Sequence, residues 1–198
     1  MLKNPIPQVT NKLQYRAIGI VNGKFVPDSS DQINKGYITD NKGEKIETVI
    51  LGKALSLLKK HIDLKKNYFW VVYPKNKNTQ SLHLQVAGIW DPYQLNDFQN
   101  NSSKTNFSKL LEELDLKDNY FSVRGELVFV NTQKKEVVIK ICSASKQKNL
   151  KNKNFKLAIK GELSLKLLNN FVSLDIIRDG NSLKLLNYEV IEKNLSKK

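Results

Sequence analysis

The stretch Gly52–Ile62, GKALSLLKKHI, decides how the rest of the chain is read. Leu55, Leu58 and Ile62 recur at helical spacing and share one face, with Lys53, Lys59 and Lys60 turned away from it. Around it lie strand-like segments. Tyr15–Val26 (YRAIGIVNGKFV), Lys35–Thr39 and Glu44–Leu51 precede the helix, and Tyr68–Tyr73 (YFWVVY) and Ser81–Trp90 follow it. Strand, strand, strand, helix, strand, strand is the element order of an OB-type barrel, a small closed sheet with a helix at one end. The expected fold is mainly β: two small OB-like β-barrel domains, the first with one helix between its third and fourth strands.

Working outward from the helix, Gly19 and Gly23 interrupt the first strand, as a strand bending sharply around a barrel requires. The next two strands form a hairpin across DNKG, where Asn41 and Gly43 supply positive φ. In its second arm Ile46, Thr48 and Ile50 share a face. In YFWVVY, alternation sets Tyr68, Trp70 and Val72 against Phe69, Val71 and Tyr73. Both faces want cover, so this strand is central, and Pro74 closes it. Leu82, Leu84, Val86 and Trp90 then point inward, with His83 outward. Residues 15–91 make the first barrel, and residues 1–14 a polar N-terminal arm.

Residues 92–117 break the pattern. DPYQLNDFQNNSSKTNF has a linker's composition, with a short helical turn at Leu110–Leu116. From 118 to 192 alternation resumes as a second all-β domain, followed by a basic tail at 193–198. Phe121, Val123, Leu127 and Phe129 face one way, then Val137, Ile139 and Ile141, then Phe155, Leu157, Ile159, Leu163 and Leu165. Phe171–Arg178 and Leu183–Ile191 pair across Asp179-Gly180, a type I′ signal. Gly88, Gly125 and Gly161 recur at near-equal spacing, the last two in RGEL and KGEL, which points to sharply curved strands in related barrels.

RAIGIVNGKFVP, FWVVYPK, LQVAGIWDP and YFSVRGELVFV, in that order, resemble a group of cyanobacterial and plastid proteins with OB-like barrel halves. The likeness spans most of the chain. Its motifs are strand and turn motifs, so the resemblance implies a reducing, cytoplasm-like compartment and supplies no activity.

Catalytic and metal chemistry is not legible. His61, His83 and Cys142 are widely separated, with no CxxC or HxxxH. His61 adjoins the apolar helix face and reads as partly buried, His83 as more available, and Cys142 as an exposed inert thiol on the outward side of its strand. There is no GxxxxGK[ST] or GxGxxG loop. One cysteine excludes an intramolecular disulfide. No apolar run approaches the roughly 20 residues that span a bilayer, and MLKNPIPQVTNK has no stretch of signal-peptide character. The expectation is a cytoplasmic protein that is not an enzyme and needs no cofactor or metal.

The net charge is +14, which invites a polyanion. Of 33 basic residues only Arg16, Arg124 and Arg178 are arginine, beside 22 asparagines. Lys- and Asn-rich composition is also what an AT-rich genome writes into all its proteins, so local grouping matters more than the total. In the second domain Arg124, Lys140, Lys156 and Lys160 fall on the outward face. They form a basic stripe if their strands pair as a meander. Beside it the loop Ser143–Asn154 carries Lys146, Lys148, Lys151 and Lys153 and no acid. Phe69, Tyr73 and Tyr120, with Phe25, are the aromatic candidates for stacking on bases. The expected partner is single-stranded RNA or DNA, with little sequence preference. The alternative is an acidic protein docked by an assembly factor.

Overall fold

The computed structural model describes residues 4–77, 81–90, 112, 116–143 and 153–193. Among the described residues, ten strands, β1 (Arg16–Pro27), β2 (Lys35–Asp40), β3 (Lys45–Ile50), β4 (Tyr68–Lys77), β5 (Ser81–Trp90), β6 (Tyr120–Asn131), β7 (Glu136–Ser143), β8 (Lys153–Lys160), β9 (Phe171–Asp179) and β10 (Ser182–Glu192), are accompanied by the helix α1 (Lys53–His61) and a 3₁₀ turn at Leu165–Leu167. They fall into two compact units. One comprises Met1–Pro7, Gly19–Tyr73 and Leu84–Tyr120, the other Gln8–Ile18, Pro74–His83 and Phe121–Lys198.

In the first barrel β1 pairs antiparallel with β2 and with β4, β2 pairs antiparallel with β3, and β3 runs parallel to β5. With β5 beside β4 the circuit closes as β1-β2-β3-β5-β4. The second set follows the same circuit. β6-β7-β8 is an antiparallel meander, β8 meets β10 in parallel, β10 pairs antiparallel with β9, and β9 returns to β6. Two OB-type barrels were the expectation, and both are present.

Alternation explains the cores. Ile38, Ile46, Ile50, Trp70, Val72, Leu84 and Val86 are buried in the first barrel, and Thr48 among them donates its hydroxyl to the Ile46 carbonyl. Trp70 donates its indole N–H to the Gly23 carbonyl at 2.9 Å. In the second barrel Phe121, Val123, Leu127, Ile139, Leu157 and Ile159 are buried as expected. Phe129 is not. The pairing of β6 with β7 slips between Leu127 and Phe129, so a bulge at Val128 places Phe129 opposite Val138 on the outer face, 47% exposed. Leu165 also leaves the core, because the chain turns into the 3₁₀ turn there.

Glycine marks the kinship of the barrels at a different place from the one the spacing indicated. A Cβ at Gly23 of β1 would meet the Thr39 carbonyl oxygen and the Ile38 side chain, and a Cβ at Gly125 of β6 would meet the Lys140 carbonyl oxygen and the Ile139 side chain. Each first strand is thus pressed against its second strand at one residue without a side chain. Gly88 has open space around it, and Gly161 lies just past the end of β8, so the three evenly spaced glycines are not equivalent.

Smaller departures have local causes. α1 buries Ala54 and Leu58, while Leu55 and Ile62 are half-buried and His61 is exposed at the helix end. Pro74 does not close β4, which continues to Lys77. At the β9–β10 turn only Gly180 of the two loop residues has positive φ, the pattern of a type II′ turn. Both faces of β4 are covered from Tyr68 to Val72, while Tyr73 is exposed. Phe69 packs edge-on against Trp90 in a cluster with Ile20, joined by Ile6, Val71 and Leu116.

Candidate nucleic-acid interface

The outer face of each barrel across its first three strands is set by strand register. In the first barrel Val26, Tyr37 and Glu47 stand opposite one another across β1, β2 and β3. The next row is Lys24, Thr39 and Lys45, and Lys35 lies opposite Val49. Buried Gly36, Ile38 and Asp40 alternate with these positions, so Tyr37 must point outward, and it is 41% exposed. The three lysines Lys24, Lys35 and Lys45 are held by no carboxylate among the described residues. At the adjoining β2–β3 turn, Asp40 binds the Lys42 and Glu44 amides through its carboxylate, and Gly43 takes positive φ.

The second barrel repeats the arrangement. Phe129, Val138 and Ala158 form a row across β6, β7 and β8. On one side lie Glu126, Lys140 and Lys156, on the other Asn131, Glu136 and Lys160. The meander required for a lysine stripe is therefore present, and Lys156 and Lys160 are exposed. Lys140 is partly spoken for: its ammonium reaches the Glu126 carboxylate at 2.9 Å. The hydrogen bond and charge of Glu126 hold the Lys140 ammonium above the usual lysine pKa.

Arg124 departs from the expected stripe. It does lie on the outer side of β6, but segment Gln8–Ile18 of the same unit covers it, leaving 7% exposed. Its guanidinium donates to the Lys12 carbonyl at 2.7 Å and lies 5.9 Å from the centre of the Phe171 ring. Arg16 donates to Ser122 beside it, and Tyr15 packs edge-on against Phe171. Burial, and next the hydrogen bond with Cys142, push the Tyr15 hydroxyl up to about 12. Cys142 is half-buried rather than exposed. Cover from residues remote in sequence is invisible to alternation, which reports side and not solvent.

The aromatic candidates divide. Phe25 and Phe69 are buried, Phe69 only 5% exposed, and neither offers a ring face to a ligand. Tyr73 is exposed and Tyr120 half-buried. Lys146, Lys148 and Lys151 lie outside the described residues, and of Lys153 only the backbone, in β8, is described. His83 is half-buried, less available than its outward position implied. Sequence reasoning missed Tyr37, Lys24, Lys35 and Lys45, although alternation around Ile38 in KGYITD carried the signal for Tyr37. Phe129 it placed in the core, since no residue announces the bulge.

The tip of the β4–β5 hairpin has a structural task. Lys75 stands 3.2 Å from the centre of the Phe155 ring, and burial lowers its pKa. Asn76 accepts a hydrogen bond from the Ala158 amide, capping the edge of β8. Among the described residues no three His, Cys, Asp or Glu side chains gather as metal ligands, and no helix is long and apolar enough to cross a membrane.

Comparison with known families meets this geometry directly. Residues 17–97 match the model of the PatR RNA-binding protein, N-terminal OB-fold domain. Residues 123–192 match a cyanobacterial OB-fold-like RNA-binding domain, C-terminal. The chain belongs to this cyanobacterial OB-fold family. The two matches follow one another in the family's own order and take in most of the chain. No curated protein matches the sequence. Among solved structures, a deletion mutant of the single-stranded DNA binding protein from Thermus aquaticus aligns over 89% of this chain and 95% of its own, at 11% identity and a TM-score of 0.41. That likeness is too distant to carry any argument.

Proposed function

We propose that this member of the family binds single-stranded nucleic acid, RNA or DNA, without catalysis and with little sequence preference. The outer faces of β1-β2-β3 and β6-β7-β8 are the contact surfaces. One observation carries the reading: each face sets a solvent-exposed aromatic ring, Tyr37 or Phe129, in a cross-strand row flanked by lysines. An exposed ring accepts any base by stacking, and lysines track the phosphates and release counterions. Three-stranded faces of this kind are where OB barrels hold oligonucleotides. The family's description as RNA-binding supports the same partner. Lys156 and Lys160 belong to the second surface by strand position, and the cluster Lys146, Lys148, Lys151 and Lys153 joins the proposal from its sequence alone. Scarce arginine agrees with weak base discrimination, because guanine edges are read best by the guanidinium fork.

Fluorescence anisotropy with labelled oligonucleotides tests it. Tyr37→Ala and Phe129→Ala should each weaken binding by about 1–3 kcal/mol, roughly 5- to 150-fold in Kd, with melting little changed. An acidic protein partner would use the lysines alone and be indifferent to both rings. Binding that survives both ring substitutions but is lost with the lysines would therefore transfer the reading to that alternative.

A further inference from the structure

The last strand of the second barrel is paired along one edge only. β9 accompanies β10 from Ser182 to Glu192, whereas β8 meets it at Lys184↔Lys160 alone among the described residues. β8 ends at Lys160. Beyond Lys184, then, the other edge of β10 faces no strand among the described residues. Such an edge presents a row of N–H and C=O groups and is a template for a further strand. Two of its four consecutive exposed side chains, Leu186 and Tyr188, are large and apolar, beside Asn187 and Glu189. Leu186, 59% exposed, is the most exposed large hydrophobic among the described residues, and Tyr188 is 45% exposed. Tyr188 and Val190 stand opposite Leu174 and Val172 of β9, whose side chains are fully buried, so the open patch continues the barrel's own core side.

We propose that a second copy of this chain occupies this edge, β10 pairing antiparallel with β10 of the other copy about a two-fold axis at Tyr188. The sequence of the strand is complementary to itself in that register. Leu186 faces the second copy's Val190, Asn187 faces its Glu189, and the two Tyr188 rings lie side by side. Lys184, which β8 already meets on this edge, lies outside the ladder. Moving the axis one residue, to Glu189, would set two carboxylates directly opposite, which is unfavourable. Leu186 and Ile191 are the extra residues of two register slips, at Leu185/Asn187 and Val190/Glu192, so the regular ladder is short, Leu186 packs at its end, and the association is modest. Directly opposed apolar pairs and the tyrosine pair are the main gain.

The inference is independent of nucleic-acid binding, and salt separates the two. Each copy carries +14, so the copies repel and added salt, by screening, should strengthen self-association. Added salt weakens binding to phosphates instead. The test is sedimentation equilibrium of nuclease-treated protein at rising concentration, at low and moderate salt. The parent should form dimers, more of them at the higher salt. Leu186→Lys with Tyr188→Lys places lysines on the edge, the usual guard against strand pairing. That variant should remain monomeric with its melting unchanged. A parent that stays monomeric under every condition overturns the proposal, and so does a folded double variant that dimerises as the parent does.

Discussion

The two barrels follow one circuit yet finish it differently between the third and fourth strands. The first inserts α1, which buries Ala54 and Leu58, and its β3 meets β5 at Thr48↔Leu84, Val49↔Gln85 and Ile50↔Val86. The second crosses from β8 to β9 with a single 3₁₀ turn. That crossing is secured on β6 instead: the Leu127 amide donates to the Asn170 carbonyl at 3.0 Å, and the Asn169 amide donates to the Leu127 carbonyl at 2.9 Å. Leu163 is buried on the way. The last strands also differ in cover: on β10 Leu186 and Tyr188 are left in solvent, while the last residue of β5, Trp90, is buried against Phe69. Backbone bonds can replace a helix in holding a crossing.

The comparison is sharpened first by core truncation. Trp70→Ala in the first barrel should cost about 3–5 kcal/mol and Leu157→Ala in the second about 2–5 kcal/mol. The Trp70 change should be the larger because it also strips the buried Gly23 carbonyl of its indole donor. Denaturant midpoints measure both. An unshifted midpoint for Leu157→Ala would mean that its strand faces the other way. The glycine equivalence comes next. Gly23→Ala and Gly125→Ala each force a methyl onto the neighbouring strand's backbone, and each should destabilise by about 1–3 kcal/mol. If one proves harmless in a thermal melt, the matched close approach is not a shared requirement of the two barrels.

The faces can be compared through salt. On a single strand each phosphate contact contributes about −0.7 to the log–log slope. Changing Lys24, Lys35 and Lys45 together to Gln should flatten the slope by roughly 2 if all three meet phosphates. The same change at Lys140, Lys156 and Lys160 should flatten it by roughly 1.4, because Lys140 is engaged by Glu126. Equal losses would show that the Glu126 contact opens on binding. The smallest effect is alkaline and belongs to the second barrel. The Tyr15 hydroxyl has its ordinary value of 10.0 when unfolded and about 12 in the fold. A group raised in the folded state contributes stability below its unfolded pKa and loses it as pH rises toward the folded one. Stability should therefore decline between pH 10 and about 12, and Tyr15→Phe should make that decline shallower in melts followed across the window.

The sequence by itself determined the mainly β class, the strand count, the position of α1 and most of the core. These depend on period-two and helical alternation, which each segment carries within itself. Ile46, Thr48 and Ile50, or Val123, Leu127 and Leu157, are buried because their neighbours in sequence dictate the side. Tertiary structure alone decided which outward positions meet solvent. Arg124 points outward and is covered by residues more than a hundred positions earlier, and Phe69 points outward and is covered by Trp90. Phe129 changes sides through a bulge whose signal lies in the register of two strands, not in either one. Tyr37 became a candidate once its cross-strand neighbours were known, since a lone exposed tyrosine says little and one flanked by Lys24, Lys35 and Lys45 says more. Local patterns fix the side on which a residue lies; what lies over it is fixed by contacts between distant segments, and no window on the sequence contains them.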